Sequence, residues 1–175
     1  GIIGLPTPNL GSISTPGNVL VGQNVAVTAQ NTINALQSQG VNIIILISHL
    51  QCIAEDQALI GQLSGVDIVV AGGGDELLFS GSPLLVPGDG PAAGGPYPTN
   101  VTDLNGNTVP VVTTAGELKY LGRLRASFDA AGNLTSVDGS SNPVRVSGVA
   151  PDAVTADASV QTNVVDPVAA FVAGL

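Results

Sequence analysis

The chain has 175 residues, 44% of them hydrophobic and 10% charged, which excludes a disordered polypeptide despite 23 glycines and 12 prolines. Four basic residues (Lys119, Arg123, Arg125, Arg145) face 13 acidic ones, a formal net charge of -9, so the chain offers no basic footprint for nucleic acid and is repelled by anionic membrane surfaces. Its apolar runs, 43–47 among them, are far too short to cross a bilayer.

The length fits one domain, 1–175, with room for a sizeable core. It opens with "GIIGLPTPNL", a short apolar strand ended by Pro6 and Pro8, then "GSISTPGNV", a loop by composition. From Val25 the apolar residues Val25, Ala29, Ile33 and Leu36 recur at helical spacing, and Gly40 closes that helix. "VNIIILISH" is a continuous β-branched run, the pattern of a strand buried on both faces. A second helix is predicted over 53–63, followed by another buried strand, "VDIVVAG". Strands and helices alternating at these lengths give parallel βαβ units.

The second half reads differently. Residues 80–107 form a long loop rich in Gly, Pro, Asn and Asp, and such loops are often functional. "TVPVVTT", "YLGRLRASFD" and "LTSVDG" then predict an antiparallel meander, the last two strands joined by the turn "AAGN". The tail, 139–175, ends in a short helix with Asp166 as N-cap and Pro167 at its first position. The chain contains no methionine, so Gly1 is expected to be a processed, cleaved or truncated beginning. Cys52 has no second cysteine to pair with and reads as a small buried hydrophobe.

Ligands collect beyond the carboxyl ends of parallel strands. Two such ends carry polar groups here: Ser48, His49 and Gln51 after the first buried run, and "GGGDE", 72–76, after the second. Neighbouring strands would bring His49, the one histidine, close to that glycine loop.

In order along the chain, "VNIIILISHLQ" (41–51), Asp56, "GVDIVVAGGGDELL" (65–78) and "VPVVTTAGELKYLGRLRASFDAAGNL" (109–134) resemble the 5'-nucleotidase-type metallophosphoesterases of the calcineurin-like superfamily. The resemblance covers most of 1–138 and is closest to a bacterial branch of secreted phosphatases. It implies an α/β fold, half of a four-layer αββα sandwich with parallel βαβ units followed by an antiparallel meander. It also implies a secreted or periplasmic metal-dependent phosphomonoesterase that uses divalent ions (Mg, Mn, Ca or Zn) on a phosphate monoester. Carried over by position, His49 matches the metal-ligand histidine of the family's Ser-His-Leu-Gly strand end, and Gly72 and Gly73 match the glycine pair before its two further histidines.

Those two histidines are absent, and Gly74, Asp75 and Glu76 stand in their place. The family's early Asp-x-His and Gly-Asn-His-Asp/Glu motifs are absent as well, so the chain resembles the second half of a catalytic domain. The expected partner is the N-terminal half of the same domain or another chain, and the chain alone is predicted inactive. His49 reads either as a metal ligand or as a satisfied core histidine. Asp75 reads either as an oxygen ligand that favours a hard cation or as a helix N-cap. Gly72, Gly73 and Gly74 read either as a phosphate cradle or as a tight turn. Glu76 reads as a solvated first-turn carboxylate, Asp56 as a surface or capping acid, and Lys119 and Arg123 as solvent-exposed on one strand face. The rival functional class is a catalytically silent structural or surface-binding module on the same fold.

Overall fold

The structure, a computed structural model, describes residues 1–90 and 94–175. Its centre is a five-stranded sheet of β1 (Ile2–Pro6), β2 (Ile45–His49), β3 (Ile68–Val70), β5 (Thr108–Val112) and β4 (Thr99–Thr102), in the spatial order β1-β2-β3-β5-β4. The first four run parallel in that order, and β4 pairs antiparallel with β5 at the edge. Pro6 ends β1 on the opposite edge, where its missing N–H costs no ladder bond.

Two helices carry the parallel crossovers. α2 (Val25–Ser38) joins β1 to β2, capped by the Asn24 side chain, which accepts from the Val27 N–H; Gly40 beyond its end adopts φ 83°, as a helix C′ residue does. α3 (Ile53–Ile60) joins β2 to β3 and stops short of the predicted 63, because Gly61 ends the helical run. A four-residue α1 (Leu10–Ile13) lies in the stretch expected to be loop.

Ile3, Leu5, Leu46, Val69 and Val111 alternate onto one face of the sheet, where Ala29 and Ile33 of α2 and Leu59 and Ile60 of α3 cover them. The opposite face is not covered in the same way. Leu46 is fully buried, whereas its neighbour Ile47 is 44% exposed and Val70 39%. The reading of these strands as buried on both faces is therefore corrected. Their apolar runs suit a two-sided strand, but on the second side Ile68 and Val112 are buried while Ile47 and Val70 stay partly open among the described residues.

The single meander is corrected too. β5 belongs to the main sheet, β6 (Tyr120–Arg123) pairs with β9 (Asn142–Arg145), and β7 (Ala126–Phe128) pairs with β8 (Leu134–Val137) across the "AAGN" turn. β4 lies inside the stretch expected to be a long loop, 80–107; residues 91–93 of that stretch lie outside the described residues. Beyond β9 a helical segment runs through α4 (Ala158–Val160), a π-helical turn (Gln161–Val165) and α5 (Asp166–Ala173). Its N-cap is Asp157, which accepts from the N–H groups of Ser159 and Val160, so Asp166 continues a helix that has already begun. Every residue of 151–175 is exposed.

Candidate functional site

β2 ends at His49 and β3 at Val70, and the two strands are hydrogen-bonded neighbours with Ile47 opposite Val70. Period-two alternation turns Ser48 inward, 4% exposed, and His49 outward to solvent. The loop 72–76 then folds back over the end of β2. A Cβ on Gly72 would stand 2.7 Å from the Ser48 carbonyl oxygen. Gly73, at φ 93°, lies so flat on the chain that a Cβ would overlap the Leu50 carbonyl and come 3.1 Å from His49 Nδ1. Gly72 is thus required by close approach, and Gly73 by close approach and backbone conformation together. The structure brings His49 and Gly73 together at the carboxyl edge of the sheet.

The acids of this loop differ from their sequence readings. No helix follows Asp75, so it caps nothing; its exposed carboxylate lies over Gly116, in a cavity of about 550 Å³ shared with Glu76, Asp89 and Lys119. Glu76 is half-buried, not a solvated first-turn acid. Its Oε1 accepts from the Ile53 N–H at 3.0 Å, tying the loop to the start of α3, and its carboxylate lies against Gly74. Lys119 precedes β6 and pairs with Asp89 at 3.1 Å, while the Tyr120 hydroxyl donates to the same carboxylate at 2.7 Å and accepts from the Val86 N–H. These two bonds, that from Tyr120 first, hold the Asp89 pKa below the usual carboxylate value. Lys119 is therefore not a free strand-face cation; it helps pin the 80–90 segment beside the site.

Asp56 departs furthest from expectation. It is 1% exposed, beneath the strand end and not at the surface. The signal was present: Asp56 falls in the apolar stripe Ile53, Asp56, Leu59, Ile60 that α3 turns to the sheet. Burial pushes its pKa up to about 6, with Glu55 and Glu76 adding repulsion and the nearby Ser48 hydroxyl opposing the rise. Yet Ser48 Oγ and both Asp56 oxygens face each other without closing a well-aligned hydrogen bond.

A cavity of about 600 Å³ opens on the uncovered side of the sheet, between Val70, Gly72 and Val112 on one wall and Tyr97, Tyr120 and Leu124 on the other. Burial raises the Tyr97 phenol to about 12. A larger space, about 1120 Å³, lies at the opposite end of the strands beside Asn42 and Asp67. It is distant from His49 and from the glycine loop, so size alone does not mark the site.

Among the described residues no group of three or more His, Cys, Asp or Glu side chains is placed to hold a metal ion. His49 is a lone imidazole and Asp75 turns towards Gly116. These residues do not by themselves fit the metal centre that the resemblance implies.

No family model matches the chain. A snake venom 5'-nucleotidase from Crotalus adamanteus is 39% identical over 144 residues, 82% of this chain and 23% of that protein. The human 5'-nucleotidase is 34% identical over 152 residues, 87% of this chain and 25% of that protein. The crystal structure of a 5'-nucleotidase precursor from Thermus thermophilus superposes with a TM-score of 0.73 at 35% identity, covering 83% of this chain and 27% of that one. Over the matched segment the chain is a relative of the 5'-nucleotidases. An NAD nucleotidase from Haemophilus influenzae shares the fold, with a TM-score of 0.64 at 23% identity. The α/β architecture, a parallel sheet with antiparallel strands, is thus that of the 5'-nucleotidase family over the matched segment. The chain spans about a quarter of the length of these 5'-nucleotidases, 23% and 25% of the venom and human proteins.

Proposed function

We propose that this chain forms one wall of the active site of a nucleotidase-like phosphomonoesterase. The observation that carries the reading is the meeting of His49 with Gly73 at the carboxyl ends of adjacent parallel strands, in a relative of the 5'-nucleotidases. Gly72, Gly73 and Gly74 present backbone without side chains to a phosphate monoester. With the Glu76 carboxylate against Gly74 and a net charge of -9, a phosphate needs a cation nearby to bind. His49 and Asp75 are this chain's proposed share of a site for divalent ions, whose remaining ligands come from the N-terminal half of the same domain or from a partner chain. A secreted or periplasmic setting belongs to the proposal. It is supported by a venom relative and a precursor among the matches, and no described helix is long and apolar enough to cross a membrane.

The test is hydrolysis of p-nitrophenyl phosphate and AMP by the chain joined to the segment that supplies those donors. His49→Ala should lower kcat by roughly a hundredfold or more, since a misplaced or missing group at the reacting centre costs that much. Unchanged turnover in the variant contradicts the assignment. The second reading, a silent module, is favoured by the incomplete donor set; absence of hydrolysis in the completed protein supports it.

A further inference from the structure

Between α3 and the end of β2, two polar side chains are sealed in the core with no use in the site described so far. Ser48 is 4% exposed and Asp56 1%. Ser48 Oγ and both carboxylate oxygens lack a completed partner, an arrangement that costs free energy and so calls for an explanation. Burial of a carboxyl beside Glu55 and Glu76 adds to that cost. Ser48 directly precedes the one histidine in β2, and Asp56 lies beside Ser48. Because side chains alternate along a strand, the inward direction of Ser48 sets the outward direction of His49, and a one-residue slip in phase would reverse both.

We propose that Asp56 is a positioning residue: its carboxyl accepts from the Ser48 hydroxyl, locks Ser48 inward, and so holds His49 outward over Gly73. The proposal rests on the reading of His49 as a site residue, but its test needs no turnover. The chain carries a single histidine, so the imidazole signals of the labelled protein belong to His49 alone. In the wild type an NOE between the His49 ring and the Gly73 α-protons is expected, because Nδ1 lies at the edge of the space above Gly73. Ser48→Ala and Asp56→Ala should each lose that NOE, and combining them should cause no further change, since both break one link. Asp56→Asn, whose amide oxygen still accepts from Ser48, should retain it. Leu59→Ala, a buried change on the same helix, should lower stability and leave the NOE intact. Retention of the NOE in both Ser48→Ala and Asp56→Ala, its absence from the wild type, or equal loss in Leu59→Ala overturns the proposal. Failure of phosphatase activity with the NOE pattern intact would instead remove the phosphatase reading alone.

Discussion

At the scale of single residues, the site depends on what glycine permits and on what burial does to a carboxyl. Gly73→Ala must adopt φ 93° and push its methyl into the Leu50 carbonyl. The strained backbone alone costs about 1–3 kcal/mol, so denaturant unfolding should show a loss of at least that size. Asp56 gives a pH signature. Its carboxyl ionises near 3.8 in the unfolded chain and near 6 when folded. Between those values the folded state holds more protons, so the stability tied to Asp56 is fully present below about pH 4 and is lost as pH rises through 6. Asp56→Asn should flatten that part of the stability curve and leave the variant no less stable than wild type at neutral pH, a comparison made by unfolding both at pH 4.5 and 7.5. The sequence already marked His49 and the glycines, because a polar residue after a β-branched run is visible in one dimension. The buried state of Asp56 was harder to see, since the identity of the residue argued for the surface and only its place in the apolar stripe of α3 argued against it.

At the scale of elements, the parallel core was legible and the antiparallel part was not. The helices and strands of 25–70 announce themselves through periodicity, and Gly40 ended its helix as expected. Beyond residue 112 the strands β6, β7 and β8 are mostly exposed and carry no continuous apolar run, so local pattern does not fix mates such as β9 for β6. One repeated signal was available: "DLNGN" (103–107) and "DAAGN" (129–133) build the same turn. In each, the leading Asp accepts from the N–H groups two and four residues on and from the Asn side chain, with Gly106 and Gly132 at φ 87° and 89°. The two turns close the β4–β5 and β7–β8 hairpins. Within β2, one-sided cover predicts unequal costs. Leu46→Ala should destabilise by about 2–5 kcal/mol as a buried cavity does, whereas Ile47→Ala next to it should cost well under half as much in chemical denaturation. Removal of the exposed helical segment from residue 158 onward should leave the melting temperature of the rest unchanged.

At the scale of the whole molecule, two properties point the same way. An apolar sheet face is partly open, with Ile2 at 70% exposure on the same face as Ile47 and Val70, and the site beside it offers too few donors to hold a metal among the described residues. An open apolar face of this kind favours association, so the chain alone should sediment as more than a monomer, and a strictly monomeric species that melts cooperatively would speak against an uncovered face. Likeness to 5'-nucleotidases over about a quarter of their length agrees with a site assembled from more than this chain. The most direct measurement is hydrolysis of AMP and p-nitrophenyl phosphate, with Mg, Mn, Ca and Zn supplied in turn, by the 175-residue chain and by the same chain joined to the segment that completes its donors. No turnover is expected from the chain alone, and metal-dependent turnover is expected from the completed protein. Hydrolysis by the chain alone that disappears in His49→Ala would contradict a shared site, and inactivity of both proteins would contradict the phosphatase assignment itself.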